Sequence, residues 1–574
     1  MRNAMAIAML LWAALLLTGA QPLPAWEAPI RVMPNDGNLY QRPSIKFGPS
    51  GRAYIVYESR NQSTGRNDIY LRSYDGNALS PIINVTEGNP YSRSPYYPDL
   101  AVTRNEEIHV VWVEYQRGQS SVAQYVKHRH FNGKTWGAIE SLATIAPSDW
   151  CEDVRVAADS SNNVFTVVWN AFNGRCSFIS KYVDKAPVVD WPLAGRSKHA
   201  DVVCDDNYVH IVWQHLLPID YGIMYAKRPV AHGTGWQPPV NMNAYYTQRP
   251  RLDLDNDGNP HVAFWEDKGQ NRRLWYRPWN GNLTSRDKTV LISTPTYVSY
   301  HFLDFSLKNN AAFATWQSGN YFTGGGGAVH YAHKATGAKT WEPPAILPDG
   351  HVPVLVASDQ TWDGKVYAVV YSSGNTAILL HLSGKLVVNN LPQAVISADK
   401  EEIFWGETVN FNGSGSSDSD GSIVKYEWSV PRDKAVFEGA TGSYTFQGSY
   451  GDVKVRLTVT DDRAGRGSAE KTIRVKALYT APATWTWEKI QTLIYSREGN
   501  VVRWQPNGKN EAAGYTIVAY RVFRKETGGE WRPLGEVSGD RTTYADVSAV
   551  KGVAYTYAVA AVDDQGRQSP YDNF

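Results

Sequence analysis

Two Gln-Arg-Pro triplets, Gln41 to Pro43 and Gln248 to Pro250, put a guanidinium at the same point of two related phrases. Paired arginines over one pocket suit a carboxylate or sulfate, because the planar fork makes two parallel N–H···O bonds. Aligning the remaining phrases adds Tyr97, Cys151, His199, Tyr300 and Val352 at that point, preceded by Tyr96, Trp150, Lys198, Ser299 and His351. His199, Tyr97 and Tyr300 are candidate acids and bases, since imidazole and phenol can move a proton in a transition state. Arg42, Arg249, Gln41, Gln248, Lys198 and His351 are candidate substrate contacts, and Trp150, Tyr97 and Tyr300 offer faces for sugar rings. The loops that follow add Glu58, Glu114, His215 and Glu266. A structural reading competes: Arg42 and Arg249 pair with Glu58, Glu266 or Asp267 and tie neighbouring segments together.

Such convergence needs a scaffold that brings distant segments to one axis, and the repeats supply it. An alternating strand, a turn and a strand ending in Trp or Tyr recur seven times before residue 390. Examples are PDLAVTRNEEIHVVW from Pro98 and PRLDLDNDGNPHVAFW from Pro250. The closing aromatics are Tyr57, Trp112, Trp169, Trp213, Trp265, Trp316 and Tyr371, separated by 44 to 57 residues. That period, with four short strands per unit, is a propeller blade. A third strand follows each loop, then a W-x-x-P phrase, as in WQPPVNM at Trp236 and WEPPAIL at Trp341. A lone copy, WEAPIRV at Trp26, precedes the first repeat. It predicts ring closure, with Ala28 to Val32 pairing with Ala377 to Leu382 and leaving no open edge. The expected fold class is all-β: a seven-bladed β-propeller over 26–390 plus two immunoglobulin-like β-sandwich modules, 391–478 and 479–574.

The repeats resemble the sialidase-like propellers, whose blades carry Asp-box turns; TGAKTW (Thr336 to Trp341) and NGKTW (Asn132 to Trp136) are remnants of that box. The ulvan-lyase type of seven-bladed propeller is similar in architecture. These resemblances imply two activities on anionic glycans. In a lyase, Arg42 or Arg249 would neutralise a uronate carboxylate while His199, Tyr300 or Tyr97 moved the proton. A sialidase would need three arginines and a Tyr/Glu nucleophile pair, and Arg93 is the nearest third arginine. Downstream, GETVNFNGSGSSDSDGSIVKYEWSV (Gly406 to Val430) and VKVRLTVTDD (Val453 to Asp462) resemble a PKD domain. YTIVAYRVFRKE (Tyr515 to Glu526) and the late Tyr-x-Tyr-x-Val phrase resemble a fibronectin type III module. Both resemblances imply spacers.

Lys plus Arg number 57 against 56 Asp plus Glu, so no global field favours nucleic acid or an anionic membrane. Residues 1–25 read as a signal peptide, with Ala4 to Leu17 apolar and small residues after it. The protein is therefore expected to be secreted, extracellular or periplasmic, without membrane insertion. The expected partner is an extracellular polysaccharide, anionic in the two enzyme readings. An adhesion protein with a structural role is the alternative. No cofactor is expected beyond structural calcium, for which Asp418 and Asp420 are the candidate ligands. Asp253, Asp255 and Asp257 read as a hairpin turn, and His128 and His130 share one strand face. Three cysteines are present: Cys151 and Cys176 are placed to form a disulfide across blade three, and Cys204 fills an apolar slot.

Overall fold

The computed structural model describes residues 25–571, apart from 90–92, 117–123, 146–150, 171–174, 191–195, 217–220, 234, 269–270, 282, 285–289, 293–297, 319–326, 349–352, 375, 449–450, 464 and 492–495. The chain divides into two compact units: Met1–Leu391 with Arg463–Gly465, and Pro392–Asp462 with Arg466–Phe574.

Continuous apolar runs in the second strands of the first unit, such as Ala53–Arg60 and Ala311–Ser318, bury both faces of its short antiparallel sheets. Among the described residues seven four-stranded sheets result, six of them in simple meander order, and they form a β-propeller. Their innermost strands are Leu39–Phe47, Arg93–Val102, Cys151–Ala158, Arg196–Cys204, Thr247–Leu254, Val298–Lys308 and Pro353–Gln360. The seventh sheet takes its outer strand, Ile30–Arg31, from the start of the chain, with Ile30 opposite Leu380 and Arg31 opposite Leu379. Flanking bonds from Glu27 N–H to Leu382 O (2.8 Å) and Val32 N–H to Ile378 O (2.9 Å) extend this closure over the predicted segments.

Two sets of aromatics fill the gaps between blades. The closing aromatics Tyr57, Trp112, Trp213, Trp316 and Tyr371 are fully buried. The W-x-x-P tryptophans lie against the preceding blade: Trp26 on Tyr331 (5.0 Å between rings), Trp236 on Phe178 (4.9 Å) and Trp341 on Tyr276 (5.3 Å). Hydrophobic burial of this kind has no direction, so polar bonds fix the order of the blades.

Carboxylates on the inner strands supply those bonds by accepting backbone N–H groups of the next blade. Asp99 accepts from Val156 (3.0 Å), Asp201 from Leu252 (2.9 Å), Asp253 from Leu307 (2.8 Å), Asp304 from Ser358 (2.8 Å) and Asp359 from Phe47 (2.9 Å). The last of these joins blade seven to blade one. Around the same channel the inner strands of blades two to six carry Asp99, Arg155, Asp201, Arg251 and Asp304, alternating in sign. Burial pushes Asp99, Asp201 and Asp359 up, and the neighbouring cations pull them back part of the way.

The second unit holds two sandwiches. Residues 397–476 form a three-stranded and a five-stranded sheet around Val409, Phe411, Trp428 and Phe446, so Val409 and Phe411 point inward as their alternation predicts. Trp428 donates its indole N–H to Gly439 O at 2.8 Å, which satisfies its one polar group. Residues 483–563 form two three-stranded sheets around Trp504, Tyr520, Val522 and Tyr557. Among the described residues no helix is long and apolar enough to cross a membrane.

Candidate active or binding site at the propeller axis

All seven inner strands carry a register break near their start; two are Val298/Leu303 and Pro353/Leu355, and the other five are Gln41/Ser44, Tyr96/Asp99, Glu152/Val154, Lys198/Asp201 and Gln248/Arg251. Inside each of these five sits one non-glycine residue with positive φ: Arg42 (48°), Tyr97 (54°), Asp153 (67°), His199 (46°) and Arg249 (51°). A left-handed backbone costs a side-chain-bearing residue about 1–2 kcal/mol, and such bulges re-aim side chains. All five residues line one cavity of about 220 Å³, together with Trp169, Arg155, Arg251, Asp99 and Asp304. Four segments more than forty residues apart in sequence thereby present Arg42, Tyr97, His199 and Arg249 to one space.

The cavity wall is charged and preorganised. Arg42 donates from Nη1 to Glu58 at 2.9 Å, and its guanidinium lies 4.4 Å from the centre of the Tyr97 ring. Burial pushes Glu58 up, while Arg42 opposes that shift; Asn67 also donates to Glu58, at 3.0 Å. His199 is buried with its ring 4.5 Å from Trp169, over which Lys198 Nζ sits at 5.6 Å. Below them, Arg155 Nε meets Asp153 at 3.3 Å, and Arg251 is pinned by Leu303 O (3.0 Å) and Pro250 O (3.2 Å). Burial lowers Arg155, but Asp153, Asp99, Asp304 and Asp201 outweigh it and hold the guanidinium charged.

Other expected contacts stand away from the cavity. Glu114 is fully buried and accepts from Asn89 (2.5 Å), Trp112 (2.9 Å) and Arg93 (3.5 Å), so it anchors the loop beneath which it lies instead of reaching the cavity. The same bond engages Arg93. Glu266 accepts the Trp275 indole at 3.0 Å, and Gln248 donates to Asp267 at 3.1 Å. Gln41 and His215 are half-buried outside the lining, and burial lowers His215. Tyr300 lies within the strand Val298–Lys308, its side chain outside the description. Trp150, His351 and most of the Gly324 to Gly327 run lie outside the described residues.

Three readings are corrected. Blade three presents Asp153 at the mouth, two residues after Cys151, because its bulge starts later. No disulfide joins Cys151 and Cys176: both are buried thiols on the two strands flanking Val164–Asn170. Strands spaced about 4.8 Å apart separate such positions by roughly 10 Å, beyond disulfide reach. Cys204 is half-buried, not fully packed, and burial still pushes its thiol up. Sequence alignment also passed over Trp169, read as core packing, and over Arg155 and Arg251. The signal for Arg251 was available, because a residue two places after a mouth position points back to the axis.

Among the described residues no cluster of three or more metal-ligating side chains occurs, and Asp418 and Asp420 stand in a turn. Asp255 caps its hairpin by accepting from Asp257 (3.0 Å) and Asn259 (2.8 Å), as the turn reading requires. His128 and His130 join His109 in a stack, with ring centres 5.3 and 4.4 Å from His109.

Residues 389–477 match the family model described as a PKD domain. Collagenase ColA of Clostridium perfringens is 38% identical over 111 residues, 19% of this chain and 9% of that protein. The chain thus spans about a tenth of the length of such curated relatives. Among solved structures, a polysaccharide lyase described as a PL25 ulvan lyase is 13% identical, covering 61% of this chain and 95% of its own, with TM-score 0.37. A sialidase of Trypanosoma rangeli is 10% identical, covering 94% and 87%, with TM-score 0.36.

Proposed function

We propose that this protein is exported and recognises an extracellular polysaccharide at the axial cavity of its propeller. On this reading the modules run 26–390, 391–478 and 479–574. The last two are a PKD domain and a fibronectin type III-like spacer. The observation that carries the reading is the set of five left-handed residues from five blades that line one cavity. Strain repeated at equivalent points persists where the surrounding fold holds it for a purpose. Arg42 and Arg249 suit a carboxylate or sulfate, and the Trp169 and Tyr97 rings suit the apolar face of a pyranose. The test is a polysaccharide array read with the wild type and with Arg249→Ala. Retention of acidic polymers that falls at least tenfold in the variant is expected. No retention of any polymer by the wild type refutes the reading.

A second reading, polysaccharide lyase, is favoured by the Arg42 guanidinium lying over Tyr97. Arg42 would stabilise the charge that develops when the Tyr97 phenolate takes the C5 proton of a uronate. The C4–O bond then breaks, a C4=C5 double bond forms, and His199 as imidazolium protonates the departing oxygen. Ultraviolet absorbance from an unsaturated product, lost in Tyr97→Phe, is the expected result. Binding without new absorbance removes this reading.

A further inference from the structure

Blade one carries a second opening on the same face of the propeller. Its inner strand begins at Leu39, its second strand ends at Arg60 and its third begins at Asn67, so these ends lie beside the mouth that holds Arg42. Between them is a groove of about 490 Å³ lined by Asn38, Asn61, Arg66, Asp68, Tyr70 and Asn84, among others. Glu58 links the two openings through hydrogen bonds: it accepts from Arg42 of the axial cavity (2.9 Å) and from Asn67 (3.0 Å), which stands in sequence between Arg66 and Asp68 of the groove.

The groove's polar groups are held in place with capacity to spare. Arg66 reaches a single oxygen of Asp68, Nε at 3.1 Å and Nη2 at 3.0 Å, and Thr86 donates to that same oxygen at 3.1 Å. Arg66 Nη1, on the guanidinium edge turned away from Asp68, and Asp68 Oδ2 remain as a donor and an acceptor in the groove lining. Asn61 accepts from Thr64 N–H at 2.9 Å, which fixes its amide and leaves its NH₂ directed elsewhere. The Tyr70 ring rests on buried Tyr57, with ring centres 6.0 Å apart, which braces it as a wall. Planar donors and acceptors beside an aromatic wall match the vicinal hydroxyls and C–H face of a pyranose. Arg66 and Asp68 pair with each other and exposed Glu87 adds one negative charge to the lining, which disfavours a second acidic sugar there, unlike the arginine-rich axial cavity.

We infer that this groove is a subsite for an uncharged pyranose of the polymer whose acidic residue occupies the axial cavity. The inference rests on the axial reading above and extends it to a chain of at least two sugars lying across Glu58. The probe is a ladder from free glucuronate to hyaluronan oligosaccharides, disaccharide to decasaccharide, in which uronate alternates with an uncharged sugar. Titration calorimetry compares the wild type, the double variant Asn61→Ala/Arg66→Ala, and Tyr70→Phe, which keeps the ring and its packing.

The expected result is an affinity gain of about tenfold with length in the wild type, reduced in Asn61→Ala/Arg66→Ala and kept in Tyr70→Phe, whose ring still walls the groove, with glucuronate affinity unchanged. No gain with length in a wild type that still retains acidic polymers on the array overturns the groove alone. Equal losses at every length in Asn61→Ala/Arg66→Ala also overturn it. A wild type that retains no polymer on the array overturns the axial reading and the groove with it.

Discussion

Arg42 is asked to do two things, hold Glu58 and meet a ligand, and a double-mutant cycle separates them. Glu58 is 4% exposed and Arg42 27% exposed in their side chains, with 2.9 Å between charged atoms. Arg42→Ala leaves a buried carboxylate with neutral donors beside it, the Asn67 amide and the Tyr97 backbone N–H. Breaking a buried pair from one side costs about 3 kcal/mol. Glu58→Gln keeps an acceptor for Asn67 and leaves Arg42 near solvent, so it should cost about 1 kcal/mol. In the double variant the stranded charge is gone, and the cost should stay close to that of Glu58→Gln, a coupling of about 3 kcal/mol.

The pH dependence follows from the same geometry. Burial already raises Glu58, and losing Arg42 raises it further. A carboxyl raised in the folded state stabilises below its unfolded value, and that stability is lost as pH rises through the folded value. The Arg42→Ala penalty should therefore be largest at neutral pH and shrink in acid. Urea unfolding from pH 7 down to about pH 4.5 measures it. A penalty under about 0.5 kcal/mol, or one that grows in acid, would refute the buried-pair account. Loss of polysaccharide retention in Glu58→Gln/Arg42→Ala but not in Glu58→Gln would assign the binding role to the guanidinium itself.

Two further outcomes are expected. Asp359→Ala removes the acceptor that ties Phe47 of blade one to blade seven and should cost about 2–3 kcal/mol, whereas Asp359→Asn keeps an acceptor and should cost about 1 kcal/mol. Equal losses in urea midpoints would show that the closure does not depend on this bond. Burial lowers both His109 and His128, so the folded state takes up fewer protons than the unfolded chain below about pH 6.5. Stability should then be lost as pH falls, and His109→Gln should flatten that slope between about pH 6.5 and 5. An unchanged slope would place the acid sensitivity elsewhere.

The ring was legible in the sequence because a blade is a local object. An apolar second strand buries both faces of each short sheet, the closing aromatic marks that strand, and the orphan phrase at Trp26 had a partner only if the chain closes on itself. Repeats fix which residues share a height on the axis, so the convergence of Arg42, Tyr97, His199 and Arg249 followed from spacing alone. Register inside each strand is different, since a bulge shifts every later side chain by one place. That shift put Asp153 at the mouth in place of Cys151, and it depends on how blade three packs against its neighbours. Burial likewise decided Glu114 and Trp169. The former is drawn into a core of donors, and the latter is left half-open beside His199 while its counterparts in other blades are sealed. Sequence spacing determines the scaffold and which residues can meet; whether a side chain faces ligand or core is settled by contacts between segments far apart in the chain.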